Sequence, residues 1–400
     1  MSEIEKQKLF IEINDENIIF LAGVYNSEIK FEIKDKLILN FPGIKDGKII
    51  NLEESTTKLK EGLDAIENKT NNIFKDIILI IDNKKLECVR VTGFKKFNGS
   101  QILKEDISYI LNDIKRLILE NEKDKSIIQI FNTKFILDNN ETQNLPIGLY
   151  GDFYKHELSF FLIKNNDLKN IKNLFNKCNL SIDKIYTKSF LKGVNYINLK
   201  QENENLCIVN IQKNSSNILI FYKSSYVYFE NFNFGSEIIF QDISKVCSLG
   251  KEKIFDIIKD MNQNKNYDEE AIVKKEFFKS STYRKIKISL IKEIIEARIN
   301  ELISLILKKN INLNKHSLDN HQLLVEIDDQ LLFQILKNNI QSFLPNNNSL
   351  HFFQGNQNEQ LTTTVTSTEI YLKGWQKEAV PVISRKKSVI SRFFSFLFEE

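Results

Sequence analysis

The sequence predicts a duplicated α/β fold, interrupted by an inserted α+β subdomain and closed by an amphipathic C-terminal helix. Three observations carry this. Short apolar strands followed by helical periodicity occur near the N-terminus and recur after residue 205. The stretch between the copies has a different order of helix and strand. Residues 385–400 separate apolar from polar side chains at a helical period.

In the first copy, residues 17–24, 28–33 and 36–39 read as strands, followed by a polar helix over 52–68 and a buried strand at 76–81. In the second, 206–211, 217–222 and 226–230 read as strands, with helices over 238–246 and 252–261. Between the copies, a helix over 102–119 and strands at 126–135 and 157–163 precede a helix over 167–178. A polar loop (262–270) then leads to one long helix over 284–309 with an apolar stripe. Pro345 and the asparagines 346–348 end the next helical segment. The threonines at 362–364 fit a β, irregular or disordered element, and 377–387 reads as an exposed tether.

Composition narrows the function classes. Four hundred residues exceed one ordinary core, so two or more subdomains are expected. With 42% hydrophobic and 27% charged residues the chain is globular, and a net charge of +3 leaves no overall footprint for nucleic acid. The four cysteines (Cys88, Cys178, Cys207, Cys247) form no CxxC pair, which argues against a disulfide framework or structural zinc and for a reducing compartment. Met1 to Lys8 lacks an apolar signal core, and no apolar run approaches the roughly 20 residues that span a bilayer. The expectation is a chain neither secreted nor transmembrane.

The C-terminal stretch is the most informative locally. At about 100° per residue, Val389, Ile390, Phe393, Phe394, Phe396, Leu397 and Phe398 share one broad arc, and serines, Arg392 and Glu399 fill the other. Arg385, Lys386 and Lys387 precede it. A membrane interface suits this pattern, with apolar area inserted and Lys386, Lys387 and Arg392 meeting anionic headgroups. Docking on the protein's own core and insertion into a partner's groove are the competing readings. So short a helix binds weakly alone, so attachment should depend on self-association.

Elsewhere the chemistry is sparse. Asp328-Asp329 and residues 268–270 are acidic clusters in polar surroundings, read as solvated. His316 and His321 are off register for a shared metal and are read as surface residues, and no nucleophile–histidine–acid arrangement is evident. Residues 280–287 form a basic helix start.

Several stretches together resemble the bacterial cell-division family FtsA, of the actin and Hsp70 superfamily. Pro42-Gly43-Ile44-Lys45-Asp46-Gly47-Lys48 is similar to the family's glycine-lysine-glycine turn before its first helix. Leu145-Pro146-Ile147-Gly148-Leu149-Tyr150-Gly151 matches the Pro-Ile-Gly-x-x-Gly element of its inserted subdomain, and residues 173–178 resemble the helix after it. Ile294-Ile295-Glu296-Ala297-Arg298-Ile299-Asn300-Glu301-Leu302 is similar to the family's Ile-Ile-Glu-x-Arg-x-x-Glu helix, and the tethered amphipathic tail completes the pattern.

The resemblance implies an actin-like, duplicated RNase H-like fold with the α+β insertion. The implied divisions are an N-terminal extension (1–14), subdomain 1A (15–87), the inserted 1C (88–198), subdomain 2A (199–234) and 2B (235–310). The rest of 2A and closing parts of 1A (311–376), a tether (377–387) and the membrane helix (388–400) follow.

The family holds ATP and magnesium between two phosphate loops, and here the chain departs. Asn210, Gln212, Lys213, Asn214, Ser215, Ser216 and Asn217 stand where the family has Asp-x-Gly-Gly-Gly-Thr-Thr-Asp, so both aspartates and all three glycines are gone. Glycines there admit phosphate to backbone N–H groups, and the aspartates orient metal and water. Gly23, Asn26 and Ser27 mark a first phosphate loop without its aspartate, and Asp328-Asp329 replace glycines near the adenosine. The expectation is a pseudo-ATPase with no cofactor, in which Lys213 retains some affinity for phosphate. Gln212 and Lys213 are expected to fill the emptied cleft.

The resemblance further implies binding of the FtsZ C-terminal peptide by Arg284 and Arg298, with Lys285 and Lys287 as steering charges. It implies filament formation, contact with later division proteins through the insertion, and a place on the cytoplasmic face of the membrane at the division site. A divergent working ATPase and a pilus-assembly scaffold are the rival functions.

Overall fold

The computed structural model describes residues 6–26, 28, 30–200, 205–263, 270–278, 283–313, 321–343, 350–355 and 361–379. The chain opens with β1 (Lys8–Ile13), β2 (Asn17–Tyr25) and β3 (Phe31–Asn40), a small hairpin β4 (Ile44–Lys45) and β5 (Lys48–Ile49), helix α1 (Leu52–Thr70) and β6 (Asp76–Ile81). Residues 8–13, read above as part of an extension, are therefore a central strand. β1 pairs antiparallel with β2 and parallel with β6. The two strands expected at 28–33 and 36–39 are one, β3, whose register shifts where Gly23 of β2 faces it.

The insertion follows, as β7 (Glu87–Lys96), α2 (Lys104–Asn121), β8 (Lys125–Leu137), β9 (Asn140–Thr142) and β10 (Phe153–Lys164), forming a sheet ordered β7-β10-β8-β9. Ile107, Ile110, Leu111, Ile114 and Ile118 of α2 recur at helical spacing and fill its core. The Pro-Ile-Gly-x-x-Gly element is a tight turn against the start of α2. Gly148 takes φ +86° and donates its N–H to the Ile102 carbonyl, and Ile102 donates to the Leu149 carbonyl. Helix α3 (Asn165–Asn176) and β11 (Ser181–Thr187) complete the first sheet, ordered β11-β6-β1-β2-β3.

Helix α4 (Lys188–Lys200) crosses to the second sheet. Next come β12 (Leu206–Ile211), β13 (Ser216–Tyr222), β14 (Ser225–Phe232), α5 (Glu237–Cys247), α6 (Lys251–Gln263) and α7 (Ile288–Ile303). Then follow β15 (Gln322–Ile327), α8 (Phe333–Phe343), β16 (Leu350–Gln354) and α9 (Thr362–Lys373). The second sheet is ordered β14-β13-β12-β15-β16, with β12–β13 and β13–β14 antiparallel and β12–β15 and β15–β16 parallel. The first sheet has the same order and the same directions, so the duplication is a duplication of topology.

Three further expectations are corrected. The helix expected from residue 284 begins at 288, because Ile286 and Ile288 are tied to the 271–273 segment by Val273 N–H to Ile286 carbonyl and Ile288 N–H to Ala271 carbonyl bonds. A π turn over Ser304–Lys308 finishes it. The threonine-rich stretch is helical: Thr363, Thr364, Thr366, Ser367 and Thr368 are buried in α9, their hydroxyls satisfied by neighbouring carbonyls or by Glu12. The described part of the tether, 377–379, is held rather than loose. Asn132 of β8 donates its N–H to the Lys377 carbonyl, Ala379 donates to the Ile130 carbonyl, and Ala379 is buried.

The insertion is fastened to the second sheet by aromatic rings. Phe161 stacks on Tyr226 of β14 at 4.1 Å and 3°, while Phe190 of α4 and Phe131 pack around them. Trp375 donates its indole N–H to the Ser224 carbonyl at 2.7 Å. His321, read above as a surface residue, is buried beside the Tyr222 ring at the start of β15; His316 lies outside the described residues.

Candidate functional site: the cleft between the sheets

The repeated topology makes two hairpin turns equivalent. Ile13 pairs with Ile18 at the end of β1–β2, and Ile211 with Ser216 at the end of β12–β13. Both turns are closed by their own side chains. In the first, the Asn14 side-chain oxygen accepts from the N–H groups of Glu16 (3.1 Å) and Asn17 (2.7 Å). The Asp15 carboxylate accepts from Gly47 N–H at 3.0 Å and from Lys84 Nζ at 2.6 Å.

In the second turn, Gln212 N–H donates to the Ser215 carbonyl, and Ser215 Oγ donates to Gln212 Oε1 at 2.9 Å. Ser236 and Glu237, at the start of α5, donate their N–H groups to the Gln212 and Lys213 carbonyls, both at 2.9 Å. Helix-start amides of the kind that receive anions are thus occupied by the hairpin. Gly235 makes this approach possible, since a Cβ there would lie 2.1 Å from the Gln212 oxygen.

Between the hairpins lies a buried set of charges. Glu12 of β1 is fully buried. Its Oε1 lies 3.0 Å from Lys188 Nζ, and its Oε2 accepts from Thr363 Oγ1 (2.6 Å) and Thr364 Oγ1 (2.8 Å). One turn along α4, Lys192 pairs with Glu326 of β15 in the second sheet. Burial works against the Lys188 cation, but Glu12 and Asp82 more than offset it and hold the ammonium above the ordinary lysine range. Burial raises the Asp82 carboxyl above the usual carboxylate range, opposed by Lys188. Asn210 is buried and stands opposite Glu326 in the strand register, and its side-chain oxygen accepts no hydrogen bond among the described residues. An aspartate at that position would set a second carboxylate beside Glu326, so the neutral amide suits this cleft.

The buried charges between the sheets come from residues not singled out in the sequence, and the side chains of Gln212 and Lys213 are not among them. Lys213 and Asn214 are exposed at the hairpin tip, and Gln212 serves Ser215. Ser216 donates to the Phe234 carbonyl, and Asn217 pairs with Asn210 in the strand register. Gly23 lies within β2 and Asn26 at its far end, bonded to the N–H groups of Glu28 and Lys30; the turn equivalent to 212–215 is instead 14–17. Ser27 lies outside the described residues. Asp329 is no solvated acid: its carboxylate accepts from the N–H groups of Leu331 and Leu332, both at 3.0 Å, and from Ser236 Oγ. Asp328 donates its N–H to the Ile211 carbonyl. The only signal for the buried set was a pair of lysines at i and i+4 on a helix otherwise apolar where it packs, with acids ending apolar strands.

The basic residues of the second half separate into two kinds. Arg284 and Lys285 are exposed with no ion pair among the described residues. Arg298 is committed within the fold, its Nε to Asp242 of α5 and its Nη1 to Glu301 at 2.7 Å, and Lys287 pairs with Glu270 at 2.6 Å. The membrane residues (Lys386, Lys387, Val389, Ile390, Arg392, Phe393, Phe394, Phe396, Leu397, Phe398) lie outside the described residues. Among the described residues no helix is long and apolar enough to cross a membrane, and no group of His, Cys, Asp and Glu is placed to hold a metal.

The profile of the SHS2 domain inserted in FtsA matches residues 83–158, which span β7, α2 and β8 and reach into β10. The cell division protein FtsA of Buchnera aphidicola subsp. Acyrthosiphon pisum is 21% identical over 323 residues, covering 79% of this chain and 75% of that protein. This chain is similar to FtsA. The FtsA of Buchnera aphidicola subsp. Schizaphis graminum is 22% identical over 315 residues, covering 76% and 73%. Among solved structures, a PilM–PilN type IV pilus biogenesis complex aligns over 94% of this chain and 98% of the other, at 9% identity and a TM-score of 0.53, a likeness of fold alone. The duplicated sheets with their insertion are the actin-like fold, and the chain is similar over most of its length to proteins named for cell division.

Proposed function

We propose that this FtsA relative is a membrane-tethered division scaffold that does not turn over nucleotide. The observation that carries the reading is the cleft. Both equivalent hairpin turns are glycine-free and closed on themselves, and the carboxylates between the sheets are already neutralised by Lys188 and Lys192. Phosphoryl transfer needs backbone amides and a metal aimed at the phosphates; here the amides at the start of α5 serve Gln212 and Lys213. The amphipathic arc and basic run at 385–400 support peripheral attachment at the cytoplasmic face of the membrane. Its small apolar area makes that attachment depend on self-association into filaments.

The partner read from the family is the C-terminal peptide of FtsZ. Exposed Arg284 and Lys285 support an acidic ligand on this face, whereas Arg298, occupied by Asp242 and Glu301, supports the helix pair α5–α7. The insertion is the surface read for later division proteins. The deciding experiment is calorimetric titration of the protein lacking residues 385–400 with ATP and ADP, with and without Mg²⁺. No heat at millimolar nucleotide is expected; Mg²⁺-dependent micromolar binding would reverse the reading.

A further inference from the structure

We infer that Lys188 and Lys192 are built-in counter-ions that hold the two halves of the cleft in one arrangement, doing within the chain what a bound metal and nucleotide would otherwise do. The inference rests on the non-hydrolysing reading above and gives it a physical means.

Four observations meet here. Lys188 and Lys192 are one turn apart on α4, so both ammonium groups leave the same helix face. They nevertheless serve different sheets, Lys188 reaching Glu12 in the first and Lys192 reaching Glu326 in the second. The acids they meet are buried, with Glu12 fully so and Glu326 only 5% exposed, and buried carboxylates require counter-charge. Both Glu12 oxygens are already engaged from within the chain, Oε1 by Lys188 and Oε2 by Thr363 and Thr364 of α9.

A cleft lined by Glu12, Asp82 and Glu326 without these lysines would repel itself and would need a cation from solution. With them, the charge is balanced from inside. Separating the sheets would part Lys192 from Glu326 or Lys188 from Glu12, leaving a buried ion alone. The arrangement of the halves is therefore fixed by the chain itself, and nucleotide has nothing to add to it.

The experiment uses the full chain and a double-mutant cycle across α4 and β15. Lys192→Met and Glu326→Gln should each lower the unfolding midpoint, and the double variant should lose less than the sum of the two. Small-angle scattering of the unaltered protein should give one radius of gyration with or without millimolar ATP and Mg²⁺. If the single variants do not fold, the exchanged pair Lys192→Glu with Glu326→Lys decides: it should recover folded protein. Additive losses, or an exchanged pair no better than the singles, overturn the inference while leaving the pseudo-ATPase reading intact. Compaction of the unaltered protein by ATP overturns both.

Discussion

Lys188 Nζ lies 3.0 Å from Glu12 Oε1, and this contact joins the first residue of the crossover helix to the central strand of the first sheet. The Glu12 side chain has no exposure, so its charge is balanced wholly from within the protein. The remaining carboxylate oxygen is held by two threonines of α9, so three elements far apart in sequence meet on one acid. Glu12→Gln would keep the shape and remove the charge, leaving the Lys188 ammonium with only the weaker influence of Asp82 and Glu326. We expect a loss of about 3 kcal/mol in unfolding free energy, measured by denaturant titration. An unchanged midpoint would show that the pair is not structural.

His156 of β10 gives a pH prediction. Its ring is 1% exposed, Nε2 contacts Asn132 Oδ1 at 2.9 Å, and burial pushes its pKa down to about 4. The unfolded chain therefore binds more protons than the folded one between about pH 6.5 and about pH 4. Stability from the neutral ring is complete above about pH 6.5 and declines as pH falls through that window, by up to about 1.4 kcal/mol per pH unit. His156→Gln keeps a partner for Asn132 and should flatten this dependence in acid titrations followed by circular dichroism.

Gly148 sits at φ +86° in the turn that gives the insertion its family signature. A Cβ there would meet nothing closer than 3.9 Å, so any cost is backbone strain rather than collision. Gly148→Ala should destabilise the protein by about 1 kcal/mol. Hydrogen exchange should localise the change to the Ile102 and Leu149 amides.

Arg284 and Arg298 should respond differently to substitution. Charge reversal at exposed Arg284 should weaken binding of an acidic FtsZ-tail peptide about tenfold without changing the unfolding midpoint. Arg298→Ala should lower the midpoint, because Asp242 on α5 loses its cation. Equal peptide affinity for the Arg284 variant would remove that residue from the docking face.

Trp375 is the chain's single tryptophan, and its indole N–H is bonded to Ser224 in the β13–β14 turn. Trp375→Phe should cost about 1 kcal/mol through the carbonyl left without its donor. In the unaltered protein, tryptophan emission should report release of the 375–379 segment from the insertion, since Ala379 and Lys377 bond to β8 nearby.

The sequence by itself determined those elements whose apolar pattern is local. The strand at residues 76–81 and the strand at 206–211 have the boundaries that their apolar runs predict, and α1, α2 and α5 lie within a few residues of expectation, since each buries one periodic face. Departures from the nucleotide motif at 210–217 were legible too, because a missing glycine or aspartate is visible without coordinates.

Tertiary structure decided the rest, and for one reason: these features depend on partners distant in the chain. Residues 8–13 are too short a run to declare themselves a central strand until β6, some 70 residues away, pairs with them in parallel. The threonines of α9 disfavour a helix on propensity alone, and burial against the core with Glu12 accepting two of their hydroxyls reverses that preference. The turn equivalent to 212–215 is 14–17 rather than the stretch around Gly23 to Ser27, because β1 supplies the strand that precedes it. The ion pairs of the cleft join residues 12 to 188 and 192 to 326, and no local window holds both members of either pair.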